Sequence, residues 1–132
     1  MTALEPEEIL TEIQIPIPPA NSGGSYKKLE RKVGDYAVAG VAAQLTLYDG
    51  VHCLKAGLGL TNVHYIPLKV TRAEALLAGS DLTPDLIDQA ARMAAGDCEP
   101  SADLRGSVEY KRDMVYQLTR RALRDAAEKA RK

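Results

Sequence analysis

Apolar positions recur along this chain in two rhythms, a period of two in the first half and a helical spacing in the second. The earliest rhythm runs from Glu8 to Ile17. There Ile9, Thr11, Ile13, Ile15 and Ile17 fall on one side of an extended chain, which predicts a strand with one buried face. Pro16, Pro18 and Pro19 cannot donate to a ladder, so this strand either ends at them or lies at a sheet edge. Asn21-Ser-Gly-Gly24 reads as a flexible turn or linker. Alternation resumes at Ala37, with Val41, Ala43, Leu45 and Leu47 on one face. Tyr48-Asp49-Gly50 carries the Asp-Gly pair that accepts positive φ in a hairpin turn. The return strand, Val51 to Asn62, sets Leu54, Ala56, Leu58 and Leu60 on one face and Cys53, Lys55, Gly57 and Gly59 on the other. Glycines at alternate positions weaken a strand but let something approach the sheet closely.

The second half is helical. Thr71-Arg-Ala-Glu74 has the form of a capping box, in which the hydroxyl and the carboxylate satisfy each other's amides, and the helix it opens ends at Gly79. Thr83-Pro84-Asp85 supplies an N-cap, a proline at the first helical position and an early acid. Leu86, Ile87, Ala90, Ala91 and Ala94 mark the buried side of that helix, and Gly96 stops it. A third helix starts near Gly106-Ser107, with a stripe of Val108, Val115, Leu118 and Ala122. Its charge-rich end, residues 124–132, is expected to be a frayed, solvated tail. Strands first and helices last predict one α+β domain over residues 1–132, with helices packed on one face of an antiparallel sheet.

Composition narrows the chemistry. The 132 residues include no Trp and no Phe, which leaves few large faces on which to stack a ring. Net charge is −1 with the two signs interspersed, so no basic footprint for nucleic acid is visible. No apolar run reaches the length of a membrane span, and the acidic start, Met1 to Leu10, does not read as a signal peptide; a cytoplasmic protein is expected. Cys53 and Cys98 are far apart and read as free thiols. His52 and His64 have no third ligand at metal spacing, and no nucleophile or acid–base pair stands out, which disfavours an independent enzyme.

Four stretches in register carry a family likeness: Ser25-Tyr-Lys-Lys-Leu-Glu-Arg-Lys-Val-Gly-Asp-Tyr-Ala-Val-Ala-Gly-Val-Ala-Ala43, Gly57-Leu-Gly-Leu-Thr-Asn-Val63, Ala73-Glu-Ala-Leu-Leu-Ala-Gly79, and Pro100-Ser-Ala-Asp-Leu-Arg-Gly-Ser-Val-Glu-Tyr-Lys-Arg-Asp-Met114 with Arg120-Arg-Ala-Leu123. From about Ile9 to Ala126 the chain resembles the C-terminal domain of the FAD-binding (medium) subunit of molybdenum hydroxylases, the carbon monoxide dehydrogenase and xanthine dehydrogenase family. The resemblance implies a domain without a reaction centre of its own. It would close over the flavin held by two preceding FAD-binding subdomains and meet the iron–sulfur and molybdopterin subunits of a complex that passes electrons to FAD. The glycine-rich phosphate loops of those subdomains are absent here, so little or no FAD is expected on the chain alone.

By the same resemblance Lys27 and Lys28 are the cofactor-binding candidates. Lys27 aligns with a lysine that reaches the flavin in xanthine dehydrogenase relatives, while some relatives keep a basic residue only at the position of Lys28. A cation beside the ring would stabilise charge that develops on reduction. The competing reading is a solvated basic face formed by Lys27, Lys28, Arg31 and Lys32. Asp35 is either a plain turn residue with Gly34 or a partner that orients the basic segment through Arg31, and Asp103, Arg105 and Ser107 are expected to fix the loop before the last helix. The chain departs from the family at His64-Tyr65-Ile66-Pro67, where many relatives carry a Gly-Pro-Thr-Pro-like turn. A module that binds a partner protein through its sheet, with no flavin role, is the rival function.

Overall fold

A computed structural model describes residues 4–132. Five strands form one antiparallel sheet: β1 (Ser22–Leu29), β2 (Ala39–Leu47), β3 (His52–Thr61), β4 (Leu68–Lys69) and β5 (Ser80–Asp81). The order is β1-β2-β3-β4, with β5 also on β3. Helices α1 (Thr71–Leu77), α2 (Pro84–Asp97) and α3 (Val108–Ala130) pack on one face, so the fold is α+β as the order of elements predicts.

The hairpin of β2 and β3 forms the centre of the sheet. Val41, Ala43, Leu45 and Leu47 all point under the helices and are buried. Gly50 turns the hairpin at φ 83°, and the Asp49 carboxylate accepts the amides of Val51 and His52 at 3.1 and 2.8 Å. The expected alternation of β3 holds for Leu58 and Leu60 but fails at its start. Thr46 pairs with Lys55 and Leu47 with Cys53, so Leu54 is an extra, bulged residue. The bulge swaps the phase: Leu54 is exposed, and Cys53, expected on the outer face, is buried among the core residues.

Four further expectations are corrected. Residues 8–17 form no strand. Ile9, Ile13, Ile15 and Ile17 are 76–94% exposed, and among the described residues no backbone hydrogen bond joins this segment to another element. The alternation is real, but the neighbouring strand it needs is not among the described residues. Ser22 to Gly24 is the beginning of β1, not a linker. Gly23 is required there because α3 crosses directly above it: a Cβ would overlap the Ala126 carbonyl and the Ala130 amide. The Thr71 box does not form. The N-cap of α1 is Val70 without a side-chain bond, and Glu74 turns instead to accept the Leu58 amide of β3 at 2.8 Å. That amide faces two very short edge strands, and the carboxylate satisfies it where a ladder would.

Helix α2 behaves as expected at its start, where Thr83 Oγ1 accepts the Leu86 amide at 3.2 Å ahead of Pro84. It runs through Gly96 to Asp97. Helix α3 is capped by Ser107, which accepts the Tyr110 amide. The expected tail is the last correction. The helix continues to Ala130, and Ala126, Ala127 and Ala130 are buried. Their small side chains let α3 lie close on β1, while the charges of this segment face out or bind the sheet end: Lys129 donates to the Gly24 carbonyl at 2.8 Å and Arg131 to that of Gly50 at 2.6 Å. Cys53 and Cys98 are buried free thiols. Among the described residues no helix is long and apolar enough to cross a membrane.

Candidate functional site

The two faces of the sheet differ completely. On the side away from the helices the pairing register brings Gly24 opposite Gln44, Tyr26 opposite Ala42 and Lys28 opposite Gly40, with Gly57 and Gly59 following on β3. Small side chains leave the backbone accessible. Shallow cavities lie along this face: one of about 310 Å³ bordered by Tyr26, Ala42, Gly59, Leu60, Pro67 and Leu68, and another of about 410 Å³ over Gly24, Gln44 and Gly57. Tyr26 is 57% exposed there and offers an aromatic ring near the β1 end.

Lys27 and Lys28 are neighbours on β1, so a strand sends them to opposite faces. Lys27 pairs with Val41 in register and lies on the helix side, where its ammonium is ion-paired with Asp125 of α3. Lys28 lies on the open side at the end of β1. Its Nζ donates to Glu30 Oε2 at 2.6 Å and to the Asp35 backbone carbonyl at 2.9 Å. The structure therefore does not bring the two candidates together, and the run of four basic residues is not one solvated face.

Asp35 is the hub of the loop that follows. Its carboxylate receives Arg105 Nη2 at 2.8 Å, the Tyr36 amide at 2.8 Å and, more loosely, Arg31 Nε at 3.4 Å. The Arg105 guanidinium, above all, holds the Asp35 carboxyl below the usual carboxylate range, outweighing the opposing effect of desolvation. Arg105 also lies 5.6 Å from the centre of the Tyr36 ring. The expected Asp35–Arg31 pair is present, and the stronger partner comes from seventy residues further along the chain.

Asp103 and Arg105 fix the loop before α3 as expected, and they do so through a residue the sequence reading passed over. Lys111 is only 3% exposed, and its Nζ donates to the Ser101 carbonyl at 2.7 Å and to Asp103 Oδ2 at 2.9 Å. Asp103 also accepts the Arg105 amide at 2.8 Å. The signal was available: Lys111 sits four residues before Val115, on the apolar stripe itself, and a lysine there needs a buried partner. Lys111, Asp103, Arg105 and Asp35 thus link α3 to the loop after β1, where the Asp35 carbonyl receives Lys28. A second cluster was also missed. Tyr116 of α3 donates to Asp88 of α2, flanked by Arg92 and Arg120, whose guanidiniums lie 5.4 and 5.3 Å from the ring centre. It clamps two helices together and lies on the covered side.

The unusual turn at His64-Tyr65 borders a polar cavity of about 310 Å³ shared with Asn62, Glu99, Ser101 and Arg112. His64 Nε2 and Glu99 are 3.9 Å apart. Among the described residues no group of His, Cys, Asp and Glu side chains could hold a metal ion.

The CO dehydrogenase flavoprotein C-terminal domain matches residues 24–126 of this sequence. The chain belongs to that family. It is 42% identical to the carbon monoxide dehydrogenase medium chain of Afipia carboxidovorans over 98% of this chain and 45% of the relative. To the medium chain of Hydrogenophaga pseudoflava it is 37% identical over 96% of this chain and 44% of the relative. The solved structure of carbon monoxide dehydrogenase from Hydrogenophaga pseudoflava, in a form lacking the Mo-pyranopterin moiety of the molybdenum cofactor, superposes with a TM-score of 0.93 at 40% identity, covering 98% of this chain and 45% of that one. The chain therefore spans a little under half the length of the medium chains it matches. In this flavoprotein C-terminal domain, an open face of small residues stands beside Lys28, which is held by Glu30 and by the backbone carbonyl of Asp35.

Proposed function

We propose that this domain closes over the flavin in the medium subunit of a molybdenum hydroxylase of the carbon monoxide dehydrogenase type. There it would complete the path by which electrons from iron–sulfur clusters reach FAD, and it would contribute contacts between subunits. The observation that carries the reading is the open sheet face: three helices cover one side, and the other presents Gly24, Ala42, Gly57 and Gly59 beside Lys28.

That face fits the ring portion of FAD better than the whole dinucleotide. A flat group can lie against a surface of glycines and alanine, and Lys28 would hold a positive charge at its edge. The pyrophosphate finds no glycine-rich loop here, and one first-turn amide at the start of each of α2 and α3 is already taken, by Thr83 and Ser107. FAD, when bound, supplies the electron-accepting chemistry. The domain's residues supply the cover, the exclusion of water and a charge whose effect grows as the site is desolvated. Of the two lysines, Lys28 takes the flavin-side role in this reading, while Lys27 ties β1 to α3.

The test uses the N-terminal remainder of the Afipia carboxidovorans medium chain, loaded with FAD and titrated with this chain while the visible spectrum is followed. Closure over the ring predicts a saturable shift of the flavin bands. Binding with an unaltered flavin spectrum would favour the other function, an interaction module of the same fold that no longer meets flavin. On its own the chain should take up FAD weakly or not at all, and a yellow protein with stoichiometric FAD after purification would contradict that.

A further inference from the structure

The segment before β1 has the pattern of a buried strand and the exposure of a loose one. Ile9, Ile13, Ile15 and Ile17 share one side of an extended chain and are 83, 76, 83 and 94% exposed. The other side carries Glu12 and Gln14, which hydrogen-bond to each other at 2.6 Å. A chain rarely leaves four isoleucines on one face in water, and such a face marks an interaction site.

This domain's own sheet does not use the segment. Pro16, Pro18 and Pro19 remove three ladder donors next to β1, and Asn21 turns the chain at φ 59°. Pro16, Ile17, Pro18 and Pro19 instead border a cavity of about 230 Å³ with Gln44, Thr46, Lys55 and Gly57, so the segment departs across the open face. Its place in the family is equally informative. The domain match begins at residue 24, yet likeness to the longer medium chains extends over 98% of this chain. The segment thus belongs to the subunit and lies outside the C-terminal domain.

We infer that residues 9–17 are a donated β-strand, which adds to the edge of a sheet in the flavin-carrying remainder of the medium subunit with the isoleucines facing that sheet's core. Strand addition satisfies the segment's backbone amides and carbonyls through a ladder, and the alternate isoleucines give affinity and register. The inference deepens the proposed function and rests on it for the identity of the partner. It also sets the geometry: a strand anchored in the remainder and leaving across the open face would hold that face against the remainder.

The experiment co-expresses the full chain with the remainder of the Afipia carboxidovorans medium chain, cut just before the stretch that aligns with this one. Co-purification is read from protein bands rather than flavin colour. The full chain should bring the remainder with it. Ile13→Lys and Ile15→Lys should each weaken capture by at least about tenfold, because a strand face that becomes buried cannot accept an unpaired ammonium. Gln14→Lys, one residue away on the opposite side, should retain capture. All three variants should melt at the same temperature as the parent chain, since these side chains are exposed in the domain itself.

Failure to co-purify, equal loss in all three variants, or full retention in all three would each overturn the strand assignment. A dimer of the chain alone that Ile15→Lys dissociates would overturn the assigned partner, making a second copy the occupant. A complex that obeys the period of two but leaves the flavin spectrum unchanged keeps the donated strand and removes the closure over flavin.

Discussion

Strand β2 and the segment from Ile9 to Ile17 have the same pattern in sequence and opposite fates in structure. Both place branched or aliphatic residues at every second position. In β2 they lie under α3 and are buried in the core, whereas in the earlier segment they stand in solvent. Alternation specifies which side of a strand wants to be covered, and it says nothing about what covers it. Where the covering element follows within the same chain, as α3 does for β2, the pattern folds. Where none among the described residues does, it remains an exposed face.

The sharpest way to break this contrast is truncation of one apolar residue on each side of it. Leu45→Ala in β2 removes a fully buried side chain and should lower the stability of the isolated domain by about 2–5 kcal/mol in denaturant unfolding. Ile15→Ala should change it by less than about 0.5 kcal/mol. Comparable losses at both positions would mean the segment packs on the domain after all.

Glycines on the two faces of the sheet sharpen the same point. At Gly23 a methyl group would run into the backbone of α3, so Gly23→Ala should cost about 1–3 kcal/mol or more, measured as a lowered denaturant midpoint. At Gly57 the nearest side-chain atom to an added Cβ is Gln44 Cβ at 3.7 Å, an ordinary contact. Gly57→Ala should leave the melt of the free domain nearly unchanged while narrowing the open face. A strongly destabilised Gly57→Ala would show that this face is already filled.

Two threonines at helix starts repeat the lesson at smaller scale. Thr83 caps α2, and Thr83→Ala should cost ~1 kcal/mol. Thr71 looks like a cap in sequence but makes no cap bond, so Thr71→Ala should fall within about 0.5 kcal/mol of the parent. Equal costs in thermal or denaturant unfolding would restore the capping box that the structure lacks.

The weakest expected effect is in acid. Arg105 depresses the Asp35 carboxyl, so the pair's contribution to stability is complete above the unfolded carboxylate range, about pH 4, and is lost as pH falls through the lowered value. Asp35→Asn should therefore reduce the steepness of the acid limb of a stability–pH curve below about pH 4, with no change of shape near neutrality. An unchanged acid limb would leave Arg105 without the role assigned to it.

Much of the fold was readable because local signals and tertiary demands agree. Val41 to Leu47, Asp49-Gly50, Thr83-Pro84 and Ser107 each found the environment their chemistry asks for. Misreadings arose where a distant group outcompeted a local one. Glu74 left its box for the Leu58 amide, a bulge at Leu54 reversed the faces of β3, and alanines under α3 kept a charge-rich end helical. In the candidate site, Lys27 and Lys28 could be named from sequence, but their division between two faces follows only from their lying on a strand, and the start of that strand, Ser22 to Gly24, had read as a linker. The Asp35–Arg105 pair spans the chain and leaves no local trace, while Lys111 betrayed itself by standing on an apolar stripe.

The central claim is that the open face, with Lys28 on it, is the side that meets flavin. It is tested most directly by the flavin reduction potential of the assembled medium subunit carrying either Lys28→Met or Lys27→Met. The account predicts a lower potential for Lys28→Met, since a cation near the ring is lost while most of the stem volume remains, and a potential unchanged from the parent for Lys27→Met. An unchanged potential in Lys28→Met, or a larger shift in Lys27→Met, would contradict it.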